Sequence, residues 1–168
     1  ATFRIVDNIA GNTTVQSFTL KAEGTVDLSN DVDNIALYYD LDTSAPYDCA
    51  SESYVGGESQ FGSTDTDGFD GSGLSTFTGS QIVNTTQTMC IYVVYDATSQ
   101  ISDAETLNLF IEDASVDVAI DVGTVAPVAV VDPTGDTTFI ETIVSQTHYH
   151  WRNDNGSETG ASSATEGN

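Results

Sequence analysis

Apolar residues recur at every second position through most of this chain, and that period commits it to β structure. Met89, Ile91, Val93 and Tyr95 alternate with Cys90, Tyr92 and Val94. Successive side chains of a strand point to opposite faces, so a segment apolar at both parities predicts a strand covered on both sides. Ile35, Leu37 and Tyr39, with Ala36 and Tyr38 between them, predict a second central strand. Phe3, Ile5 and Ile9 share one side of a first strand that Asp7 interrupts, and Val15, Phe18 and Leu20 begin the next. Leu107, Leu109 and Ile111, followed by Val116, Val118, Ile120 and Val122, read as a hairpin turning at Asp113-Ala114-Ser115. Val128, Val130 and Val131 follow Gly123 and Pro127, and Asp132-Pro133-Thr134-Gly135 signals a turn before a last strand from Thr137 to Val144. No stretch carries the i, i+3, i+4, i+7 spacing of an amphipathic helix over several turns. A chain of about seven to nine short strands covers its apolar faces by stacking two sheets. The expectation is an all-β, two-sheet antiparallel β-sandwich in Greek-key or jelly-roll order.

Two segments depart from the alternation. Residues 47–79 are rich in Gly, Ser and Asp and poor in branched apolar residues, which predicts one long acidic loop. Residues 153–168 hold almost nothing to bury and read as a polar tail or linker, leaving 1–152 as the sandwich domain.

The charge is extreme. Twenty-six acidic residues face only Arg4, Lys21 and Arg152, for a formal net charge of −23. Such a chain repels the nucleic-acid backbone and anionic lipid surfaces alike. No apolar run approaches the roughly 20 residues that span a bilayer, so membrane insertion is not expected. Ala1 stands where methionine would open a new chain, which fits either a removed export signal or a sequence that begins inside a longer product. Two readings of the charge stay open: a hydrated surface whose self-repulsion salt screens, and divalent cation binding. Of the acids, 18 are Asp and 8 are Glu, a bias toward short carboxylates in turns.

Cys49 and Cys90 have no metal-ligand partners at suitable spacing, so a disulfide is expected, and with it an oxidising, extracellular or cell-surface location. The sequons at Asn12, Asn84 and Asn155 fit a glycosylated surface.

Asp65, Asp67 and Asp70 place carboxylates at close intervals beside Gly68 and Gly71, a pattern suited to the flexible oxygen coordination of calcium. The same residues also suit a solvated turn. Asp27, Asp31 and Asp33, and then Asp40 and Asp42, carry the same two readings. His148 and His150 would share one face of a strand, too few ligands for a metal centre without a third. No nucleophile elbow, phosphate loop or Cys-His pair is present, so no enzyme is expected and no cofactor is required beyond a possible calcium ion.

Two stretches, LYYDLDTSAPYDC at 37–49, running on towards TMCIYVV at 88–94, and THYHWRNDNGSE at 147–158, resemble segments of large, poorly characterised exported surface proteins of bacteria. The resemblance implies a secreted β-rich building block and carries over no site residue. Two functions are then expected. In the first, copies polymerise head to tail into a surface filament or tube by strand exchange. The exchanged strand is 1–10, anchored by Phe3, Ile5 and Ile9, or 137–151, with Tyr149 and Trp151 as contacts. In the second, the chain is a calcium-dependent adhesin or glycan-binding module that uses the long loop, whose Tyr47, Tyr54, Phe61 and Phe69 suit aromatic contacts to a ligand and, equally, buried anchoring of the loop.

Overall fold

A computed structural model describes residues 1–133 and 137–139. They form β1 (Thr2–Val6), β2 (Asn12–Gly24), β3 (Val32–Asp42), β4 (Ser59–Asp65), β5 (Leu74–Asn84), β6 (Thr88–Ala97), β7 (Thr106–Phe110), one helical turn α1 (Ala114–Asp117), β8 (Val118–Ile120) and β9 (Thr137–Thr138). The strands make two antiparallel sheets that stack as a sandwich. One has the order β1-β6-β3-β4, and the other β5-β2-β7-β9, with β8 also paired to β2. No helix among the described residues is long and apolar enough to cross a membrane.

The core lies where the alternation places it. Phe18, Leu20, Ile35, Leu37, Phe77, Met89 and Ile91 are almost fully buried between the sheets. Val15 and Phe18 differ in parity yet both face inward, because a register shift between Val15 and Ser17 inserts an extra residue. On β6 the opposite face is buried as well, through Cys90 and Tyr92. The cover is the segment 43–58, tied down by the Cys49–Cys90 disulfide, whose Cα atoms are 5.9 Å apart. Buried Asp42 orients this strap by accepting the amides of Ser44 at 2.9 Å and Cys49 at 3.0 Å. Thr88 Oγ1 donates to the Tyr47 carbonyl at 2.6 Å.

Three local expectations change. The 47–79 loop is interrupted by β4 and by the start of β5, which need few apolar residues because only one of their faces meets the core. Phe61 and Phe77 supply that contact. The hairpin expected over 107–122 does not form. Asp113 caps α1 by accepting the Ser115 amide, and β7 and β8 line up end to end along β2, opposite Lys21–Gly24 and Val15–Phe18. Asp-Ala-Ser serves a helix cap as well as a turn, and Val116, exposed on α1, only imitates the alternation. Val128 and Val130 are exposed, and their neighbour Val131 makes a single bridge to Ile111 in place of a strand. The last expected strand is described only as far as Phe139.

Along one edge the sandwich is sealed. Gly62, at φ +75°, brings the β4 backbone so near β5 that a Cβ there would stand 2.7 Å from the Thr78 carbonyl oxygen. Across the same edge Ser75 Oγ donates to Asp65 Oδ2 at 2.6 Å.

Candidate functional site

The opposite edge is open. β1 ends its sheet and pairs only with β6, so its outer edge has no strand partner among the described residues. Between β1 and the α1–β8 region lies a cavity of about 230 Å³, walled by apolar side chains including Phe3, Ile5, Val15, Phe18, Val118 and Ile120. A second, separate hollow lies between Thr2 and Leu107–Leu109. Val6 and Ile9, 58% and 39% exposed, line the cavity beside β1, and exposed Val122, Val128 and Val130 flank the 124–127 stretch that also lines it. Apolar exposure gathered in one place marks an interaction site more often than scattered exposure does.

One polar group breaks this lining. Asp7 is only 9% exposed; its Oδ1 accepts the Ile9 amide at 2.8 Å, while Oδ2 is buried without a partner among the described residues. An unsatisfied buried acceptor costs about 1–3 kcal/mol. A donor brought into the seam would relieve that cost.

The structure places the expected subunit contacts as follows. Phe3 is in the core, Ile5 lines the cavity and packs against the core, and Ile9 lines the cavity as well. Residues 2–6 of the first candidate donor pair with β6 of their own chain. Tyr149, Trp151, His148, His150 and Asn155 lie outside the described residues, as do 140–151 of the second candidate donor. The sequon residues Asn12 and Asn84 are register partners at one end of the sandwich, and Asn84 Oδ1 accepts the Thr86 amide and hydroxyl.

The aspartate turns are held by their own chain. Asp65 Oδ1 accepts the Asp67 amide at 3.1 Å, and Asp70 Oδ1 accepts the amides of Ser72 at 2.8 Å and Leu74 at 2.9 Å. Asp27 accepts Asn30 Nδ2 and Ser29 Oγ, each at 2.8 Å. Asp31 Oδ2 accepts the Asp27 amide at 2.7 Å, and Asp33 Oδ1 the Asn34 amide at 3.0 Å. Asp27 and Asp70 border one open hollow beside Lys21. Among the described residues no three His, Cys, Asp or Glu side chains are arranged to hold a metal ion.

These bonds fix a pH response. The side chains of Asn30 and Ser29 hold the Asp27 carboxyl below the usual aspartate range; the Leu74 and Ser72 amides do so for Asp70, and the Thr14 backbone amide for Asp121. A carboxyl depressed in the folded state contributes stability above its unfolded pKa and loses it as pH falls through the folded value. Asp40 has the opposite sign: burial, then the charges of Glu58 and Glu52, raise it, so its unfavourable contribution fades as it protonates on acidification. Carboxyls held low, Glu58 among them, outnumber the one raised. Urea unfolding should therefore show stability falling as pH drops below about 4, and Asp40→Asn should raise stability at neutral pH but not in acid. A neutral-pH midpoint unchanged by Asp40→Asn would contradict this assignment.

The aromatic residues expected to meet a ligand separate. Phe61 and Phe69 are buried in the core, which removes them from any binding surface; Tyr47 is half-buried. Tyr54, 42% exposed, packs against Tyr38 and Tyr92, with ring centroids 5.4 and 6.0 Å apart. Tyr38 and Tyr92 are register partners on β3 and β6, an adjacency the sequence conceals because 53 intervening residues separate them.

No protein-family model, curated protein or solved structure matches the chain.

Proposed function

We propose that this protein is an extracellular structural subunit that polymerises into a surface filament or tube, a strand of one copy adding to β1 of the next. The observation that carries the proposal is the apolar seam beside a strand edge that is unpaired among the described residues, with Asp7 Oδ2 buried inside it and without a donor among them. An incoming strand supplies backbone hydrogen bonds along the edge and side chains for the cavity. Because donor and acceptor are different surfaces, the contact is head to tail, and it propagates as a filament when the rotation between copies does not close a ring. The segment 140–151 is the donor that fits, since residues 2–6 already serve their own sheet. Its apolar and aromatic residues Ile140, Ile143, Val144, Tyr149 and Trp151 match the lining in character. The disulfide supports the extracellular setting. A net charge of −23 opposes association, so salt should favour assembly by screening the repulsion.

Ile9→Asp tests the seam. The residue is exposed enough to tolerate the change, which sets a second carboxylate near Asp7. Sedimentation velocity should show loss of the polymer, with the circular dichroism of the folded domain retained. Wild-type assembly by this variant would remove the seam from the mechanism.

A further inference from the structure

The two strands that border the open edge run in opposite directions. The loop 98–105 joins the end of β6 to the start of β7, so Ala97 and Thr106 mark the same end of the sandwich. Antiparallel to β6, β1 runs away from that end, with Thr2 opposite Tyr92 and Val6 opposite Thr88. Antiparallel to β7, β9 runs toward it, with Thr137 opposite Leu107 and Thr138 opposite Thr106. The Phe139 amide then donates to the Glu105 carbonyl and the Ala104 amide to the Phe139 carbonyl, each at 2.8 Å. Thr2 and Thr137, the starts of β1 and β9, line one hollow. At Phe139 the chain is therefore heading out past the 98–105 loop, away from the edge of its own β1 that is unpaired among the described residues.

That direction decides what an added strand builds. A tail that turns back into its own seam runs parallel to its own β1. Two copies that meet by their 98–105 ends, with the sandwich axes in line, exchange tails reciprocally. Each tail again runs parallel to the β1 it joins, and the pair closes on a two-fold axis. A tail that continues straight into a copy stacked in the same orientation meets β1 antiparallel. It enters beside Val6, Asp7 and Ile9 and finishes at the Thr2 hollow, and the stack keeps a free seam at one end and a free tail at the other. Length permits this. At about 3.3 Å per residue, 140–151 spans about 40 Å, against about 17 Å for the five residues of β1.

Resting on the strand-addition reading above, we propose that residues 140–151 of one copy add antiparallel to β1 of the next, entering at 6–9 and ending at Thr2. All seven strand pairings among the described residues are antiparallel, so the added strand continues the pattern of both sheets. Alternation then sets its faces. With odd-numbered residues inward, Ile143, Tyr149 and Trp151 meet the apolar lining. The hydroxyls of Ser145 and Thr147 on the same face offer the donor that Asp7 Oδ2 lacks among the described residues. The even-numbered residues, His148 and His150 among them, face outward alongside exposed Thr2, Arg4 and Val6.

Cysteine scanning of the full chain tests the polarity. Val6→Cys or Thr2→Cys, both at exposed outward positions, is combined with a single cysteine at each position from 142 to 151. Variants that keep the circular dichroism of the folded domain are oxidised and run on non-reducing gels, the Cys49–Cys90 pair being already formed. Ladders of linked copies should appear, strongest for cysteines at even positions. The best tail position should lie about four residues later for Thr2→Cys than for Val6→Cys, as antiparallel pairing requires. A best position about four residues earlier for Thr2→Cys means parallel addition, which overturns the proposal and leaves strand addition standing. Cross-links that stop at the monomer or the dimer overturn it through self-closure or reciprocal exchange. Absence of any tail cross-link, with or without fibres, overturns it together with the strand-addition reading.

Discussion

Replacing Phe18 with alanine should cost about 3–5 kcal/mol, the range for a large aromatic removed from a packed core. Phe18 has no exposed surface, meets Phe3 edge-on at 5.6 Å, and sits on β2 between Phe77 of β5 and Val118 of β8. It is thus the point at which the two sheets and two of the three strand neighbours of β2 depend on one side chain. Against a total of about 5–15 kcal/mol for a domain, the loss leaves little. Phe18 also walls the seam cavity, so truncation merges a new void with an existing one and relaxation cannot readily close it. Urea unfolding should show the midpoint falling at a nearly unchanged slope. A loss under about 1 kcal/mol would mean that the core is loosely packed at its centre.

Reduction of the disulfide should lower stability by about 2–4 kcal/mol. Cys49 and Cys90 enclose a long loop, with a separation of 41 in sequence, and the unfolded chain gains that freedom when the link is cut. A local consequence follows in the folded state. The strap covers the outer face of β3 and β6, and apart from the disulfide it is held by the Asp42 and Thr88 bonds and the packing of Tyr54. Urea unfolding with and without reductant measures the global effect, and the tyrosine resonances report the strap. If reduction left both unchanged, the link would be an ornament on an already rigid strap.

How much of this was legible in the sequence depends on how far apart the partners lie. Alternation within one strand is local, so β3 and β6, apolar at both parities, could be recognised as central and the sandwich followed from them. The pairing of Cys49 with Cys90 needed only a count. β4 escaped because an edge strand with one face in solvent needs a single buried anchor, Phe61, and the glycines and serines around it look like loop. The hairpin at 107–122 failed because Asp113 caps a helical turn with the same residues that would make a hairpin turn. At the seam, Ile5 and Ile9 were legible as apolar residues on one side of the first strand, but the Asp7 oxygen left unpaired among the described residues was not: a carboxylate interrupting an apolar row gives no sign of whether its partner is present. The tyrosine cluster was wholly hidden, since Tyr38, Tyr54 and Tyr92 meet only through the β3–β6 register and the strap.

Self-assembly through the seam is tested most directly by negative-stain electron microscopy of the full chain, with ionic strength raised to screen the charge of −23. Ordered fibres or tubes, absent in Ile9→Asp under the same conditions, are the expected result. Single, monodisperse domains of the wild-type chain at every ionic strength would contradict it.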